Sequence, residues 1–65
     1  MTLLLNGEPT EIAARTLAQA LIELGYEGKL VGTAVNGDFV PARKREGTAL
    51  SEGDRVEIVA PMQGG

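Results

Sequence analysis

The sequence predicts an α+β domain in which one helix lies across one face of a mixed sheet of about five strands. Three observations lead there. Leu17, Ala20, Leu21 and Leu24 fall at i, i+3, i+4 and i+7 and form a single apolar stripe at helical spacing. Asn6-Gly7 and Asn36-Gly37 each follow a short aliphatic run, and this dipeptide suits the positive φ angles of a tight hairpin turn. Arg55-Val56-Glu57-Ile58-Val59 alternates polar and apolar residues as a half-buried strand does.

Taken in order, Thr2 to Leu5 is the first strand, and Asn6-Gly7 turns it into a second covering roughly Pro9 to Ile12. Pro9 stands at the start of that strand, where a missing N–H is tolerated. Thr16 before Leu17, with Gln19 three residues on, has the spacing of a capping box and opens the helix; Gly25 supplies the left-handed residue that closes it. After a Gly-containing connection, Thr33 to Val35 is the third strand, and Phe39-Val40 is a short fourth strand stopped by Pro41. Arg43-Lys44-Arg45-Glu46-Gly47 reads as a solvated loop, Leu50 as a core plug and Ser51-Glu52-Gly53-Asp54 as a turn into the last strand. The first and last strands are long enough to lie side by side in the middle of the sheet. This gives a domain over residues 1–59 and a C-terminal tail over 60–65, Ala60-Pro61-Met62-Gln63-Gly64-Gly65.

A chain of 65 residues is a single domain with a small core, and it has no room for an enclosed substrate pocket. Its 43% hydrophobic and 23% charged residues are those of a globular domain. It contains no Cys and no His, so thiolate nucleophiles, imidazole bases, disulfides and the usual zinc ligands are all excluded. Most self-contained catalysis is thereby excluded, and the expectation is a chain that is not an enzyme, with no catalytic residues, no metal and no permanently bound cofactor. A net charge of −3 with only six basic residues argues against a nucleic-acid partner. No run of residues approaches the ~20 apolar positions of a membrane span, and Met1 to Leu5 lacks the charged start of a signal sequence, so the expected location is cytoplasmic.

The tail is the feature that asks for a chemical explanation. At an average glycine frequency, two terminal glycines arise by chance about once in 200 chains. A main-chain carboxylate that must be threaded into another protein's active site needs neighbours without a Cβ, and Gly64-Gly65 meets that need. Pro61 restricts Ala60 to extended conformations, which would hold the end away from the domain.

The Asn6-Gly7 turn, the Val35-Asn36-Gly37 turn leading to Val40-Pro41, the run from Leu50-Ser51-Glu52-Gly53-Asp54 to Ile58, and the terminal Gly64-Gly65 together resemble the ThiS family of sulfur carriers in thiamin biosynthesis. The resemblance covers the whole chain and implies the ubiquitin-like β-grasp fold. It also implies a cycle: a ThiF-like adenylyltransferase uses ATP to convert the Gly65 carboxylate to an acyl-adenylate, sulfur from a persulfide donor displaces AMP, and the thiocarboxylate delivers sulfur to a ThiG-like thiazole synthase. Adenylation is chemically sensible because a carboxylate is a poor electrophile until it carries a good leaving group.

Strand parity suggests a docking face. If Leu3, Leu5, Val56 and Ile58 face the helix, then Leu4, Arg55, Glu57 and Val59 face the other way. Leu4 and Val59, with Phe39 and the tail residues Met62 and Gln63, would form a partner-binding patch near the chain end. Other functions stay open at this point: a MoaD-like small subunit of molybdopterin synthase, a ubiquitin-like modifier joined to lysines through Gly65, and an interaction domain with no chemistry at its end.

Overall fold

Two hairpins, one helix and a final strand between the hairpins make up the framework of the domain. The computed structural model describes residues 1–60. Strands β1 (Thr2–Leu5) and β2 (Glu8–Glu11) precede helix α1 (Leu17–Glu23); β3 (Gly32–Val35), β4 (Asp38–Val40) and β5 (Arg55–Val59) follow it. The sheet order is β2-β1-β5-β3-β4, with β1 parallel to β5 and the other neighbours antiparallel. The first and last strands therefore do meet in the middle.

Both hairpins turn through positive φ, Asn6 at 50° and Gly7 at 88°, Asn36 at 52° and Gly37 at 88°. Asparagine tolerates this region because its short polar side chain finds local partners, and glycine because it has no Cβ. Pro9 lies one residue inside β2 and not at its start. β2 is an edge strand, so a missing N–H can face solvent there without breaking a ladder.

Thr16 caps α1 by accepting from the Gln19 N–H at 3.2 Å. The Gln19 side chain accepts from the Arg15 N–H, one residue beyond the Thr16 N–H that a capping box would use. The Leu17 and Ala18 N–H groups are taken instead by the carbonyls of Thr48 and Arg45, so the segment before β5 completes the helix start. At the other end Gly25, at φ 90°, donates to Ile22, and Tyr26 donates to Leu21, the paired bonds of a Schellman cap. Leu17, Ala20 and Leu21 are buried against Leu3, Ile12, Val40, Leu50, Val56 and Ile58 in one core. Leu50 is thus the plug that its position suggests. Burial of a side chain such as Leu3, Leu17 or Val56 contributes about 1.5–3 kcal/mol, and these three are the most completely enclosed.

The stretch from Arg43 to Gly47 is not simply a solvated loop. Ala42–Lys44 forms a 3₁₀ turn, and Arg45 folds inward. Its guanidinium donates to the Thr33 hydroxyl at 3.1 Å and to the Val31 carbonyl at 2.6 Å, while Thr33 donates to the Val40 carbonyl at 2.7 Å. β4 ends at Val40 and Pro41 turns the chain aside, so the Val31 carbonyl has no strand partner on that edge; Arg45 supplies one. At the opposite edge the Met1 amino group donates to Glu11 and to the Ile12 carbonyl. The Thr2 hydroxyl and that ammonium hold the exposed Glu11 carboxyl below its ordinary range.

Arg45→Ala should destabilise the domain by about 2 kcal/mol, the usual cost of deleting a charged donor to partly buried acceptors. Arg43→Ala and Lys44→Ala, on exposed neighbours, should each stay within about 0.5 kcal/mol. Urea midpoints of the three variants check this, and equal shifts would assign Arg45 no structural part.

Candidate functional site

Side chains on the sheet face away from α1 follow from the registers. Leu4 pairs with Pro9 on one side and Arg55 on the other; Ala34 pairs with Glu57 and with Phe39; Gly32 pairs with Val59. Cross-strand partners share a face, so Leu4, Phe39 and Val59 all lie on this one, while Val56 and Ile58 point into the core.

Sharing a face does not make them one patch. Phe39 is 71% exposed and Val59 64% exposed, because each stands opposite a residue with little or no side chain, Ala34 and Gly32. They flank a low strip of backbone on the β3 side. Leu4 is half-buried, flanked by Pro9 and Arg55. Neighbouring strands are ~4.8 Å apart and residues rise ~3.3 Å along a strand, so Leu4 lies ~14 Å from Val59, four residues beyond its own partner on β5. Arg55 and Glu57 stand between the two. An open depression beside Leu4 is lined by Asn6, Gly7, Arg55, Val56 and Glu57.

β5 leads into Ala60, which is exposed and belongs to no element. Met62, Gln63, Gly64 and Gly65, with Pro61, lie outside the described residues. Their place on the chain puts them directly after the last strand, and therefore after the exposed Val59. Among the described residues no group of three or more carboxylates is placed to hold a metal ion. No helix among them is long and apolar enough to cross a membrane.

Two residues that sequence reasoning read only as turn formers do more. The Asn6 side chain bonds both the N–H and the carbonyl of Ile58, and Asn36 accepts from the Arg55 N–H and donates to Asp54. The signal available was the choice of Asn over Asp or Gly, since only the amide carries both a donor and an acceptor.

This arrangement, one helix across a five-stranded mixed sheet with the last strand in its centre, is that of a small β-grasp domain. The ThiS family profile matches residues 3–65. A sulfur carrier protein ThiS from Thermus thermophilus is 41% identical over 61 residues, covering 94% of this chain and 95% of that one. The crystal structure of the thiamine biosynthesis protein ThiS from Geobacter metallireducens superposes with a TM-score of 0.83 at 26% identity, over 100% of both chains. A thiazole synthase from Paramagnetospirillum magneticum is 36% identical across 100% of this chain, which spans only 20% of that protein. The chain belongs to the ThiS family, with its ubiquitin-like β-grasp fold, and is a carrier and not an enzyme.

Phe39→Glu and Val59→Glu should each leave the melting temperature almost unchanged, since both side chains already stand in water. Val56→Glu, on the same strand but facing the core, should prevent folding, because an unpaired carboxylate cannot be buried there. Circular-dichroism melts distinguish the cases. Unfolding by Val59→Glu would show that the assigned face is wrong.

Proposed function

We propose that this chain carries sulfur for thiazole formation in thiamin biosynthesis as a thiocarboxylate on Gly65. The family match, which runs through Gly64-Gly65 to the last residue, is the observation that carries the reading. The Gly65 carboxylate attacks the α-phosphorus of ATP in a ThiF-like adenylyltransferase, pyrophosphate leaves, and an acyl-adenylate forms. The terminal sulfur of a persulfide then attacks the carbonyl carbon and expels AMP, giving an acyl disulfide; a thiol attacks the donor-side sulfur, breaks the persulfide's original S–S bond and leaves the thiocarboxylate, with a disulfide as the other product. ATP is the partner's substrate, and the carrier holds no cofactor of its own. Activation in a larger enzyme keeps water from the acyl-adenylate, which a domain of this size could not do for itself.

Thiazole synthase is the proposed acceptor of the sulfur. Support comes from the Paramagnetospirillum magneticum thiazole synthase, in which a segment similar to this whole chain occupies 20% of the protein. Joining carrier and acceptor in one chain raises their effective concentration, which is useful only for proteins that meet in function. Phe39 and Val59, bare on the sheet face away from α1, are the proposed docking residues, with Leu4 as a separate contact and Met62 and Gln63 entering the partner's channel ahead of the glycines. The cycle runs in the cytoplasm, where ATP is supplied.

A length series tests the reading. Deleting Gly65 shortens the reach by ~3.5 Å, and misplacement of even ~1 Å can cost about 100-fold in rate, so pyrophosphate release should collapse. One residue added after Gly65 should fail for the same reason, and Gly64→Ala should be intermediate because it keeps the reach but adds a Cβ. All variants should melt like the parent. Full activity in the Gly65 deletion would end the proposal.

A further inference from the structure

The last residues of β5 have a strand neighbour on one side only. Toward β3, Glu57 and Val59 stand opposite Ala34 and Gly32. Toward β1, the parallel pairing stops at Leu5 with Val56, and the last backbone bond runs from the Asn6 N–H to the Val56 carbonyl at 2.9 Å. Beyond it the chain turns away at Asn6, φ 50°. Ile58 is the next residue whose N–H and carbonyl face β1, and both would be bare. The Asn6 amide takes them: Oδ1 accepts from the Ile58 N–H at 2.9 Å, and Nδ2 donates to the Ile58 carbonyl at 3.2 Å. The side chain thus acts as one more residue of β1 and extends the pairing along β5 as far as Ile58.

We propose that Asn6 is a positioning residue for the adenylation of Gly65, holding the end of β5 so that the tail enters the partner from a fixed point and direction. The inference rests on the carrier reading of the preceding section. Ile58 is seven residues before Gly65. If β5 frays at Ile58, additional backbone must be ordered again after docking and before the carboxylate meets ATP. That entropic cost falls on the reaction step, and docking is weakened as well because Val59 sits on the same loosened end. Asn36 provides a matched comparison, since the same amide at the same kind of turn bonds Arg55 and Asp54 at the opposite end of the same strand.

The test uses the full-length chain as the varied substrate of the adenylyltransferase with ATP, followed by pyrophosphate release. Asn6→Gly keeps the positive φ and removes the amide. Its kcat should fall about tenfold, its KM should rise as well because Val59 lies on the loosened end, and the Ile58 amide should exchange its hydrogen correspondingly faster. Simple loss of folded carrier would raise KM and leave kcat unchanged, so the fall in kcat is the deciding readout. Asn36→Gly should lower the melting temperature comparably and leave kcat within about twofold. Asn6→Asp, which keeps an oxygen for the Ile58 N–H but sets a carboxylate against the Ile58 carbonyl, should show the same fall in kcat and serves if the glycine variant melts near the assay temperature. An unchanged kcat in both Asn6 variants, or an equal fall in Asn36→Gly, overturns this inference alone. No pyrophosphate from the parent chain overturns the carrier reading and this inference with it.

Discussion

Everything in this domain depends on how β5 is held. It is the central strand, parallel to β1 and antiparallel to β3, and both neighbours leave it early at Asn-Gly turns. Each departing asparagine puts a side-chain amide where strand backbone would have been, Asn6 at Ile58 and Asn36 at Arg55. Asp54 joins the second clamp by bonding both Asn36 and the Ser51 N–H, which ties the turn before the strand to the strand itself. Register follows from these bonds, and with register comes parity. A slip of one residue would put Val56 and Ile58 in water and send Arg55, Glu57 and Val59 into the core.

That strand also links fold to function. Its inner residues complete the core under α1, its outer residue Val59 shares an exposed face with Phe39, and its end passes directly to the tail. A ThiS-family carrier needs little else. In the proposed cycle bond making falls to larger partners, and the domain would contribute a folded shape, a face and a terminus.

The parts of this arrangement that were legible in the sequence are those set by local chemistry. Thr16, the Leu17-to-Leu24 stripe and Gly25 located the helix because caps and periodicity act within one or two turns. The Asn-Gly pairs located both hairpins, and the alternation from Arg55 to Val59 gave the inward and outward sides of β5. What escaped were interactions between distant residues. A turn propensity describes the backbone of Asn6 but not its partner 52 residues away. Arg45 looked like one member of a charge run, because nothing local reveals that Pro41 strips the Val31 carbonyl of its strand partner. Parity put Leu4 and Val59 on one face, but parity is blind to register; the pairing of Leu4 with Arg55 leaves Arg55 and Glu57 between Leu4 and Val59.

The central claim, that the terminus is the reactive group, reduces to the fate of one oxygen atom. The purified chain can be incubated with ATP, the adenylyltransferase and a sulfide source, and its intact mass and C-terminal fragments measured by mass spectrometry. The account predicts replacement of one oxygen by sulfur, confined to Gly65, and dependent on ATP. An unchanged mass, or a modification located on an internal side chain, would contradict it.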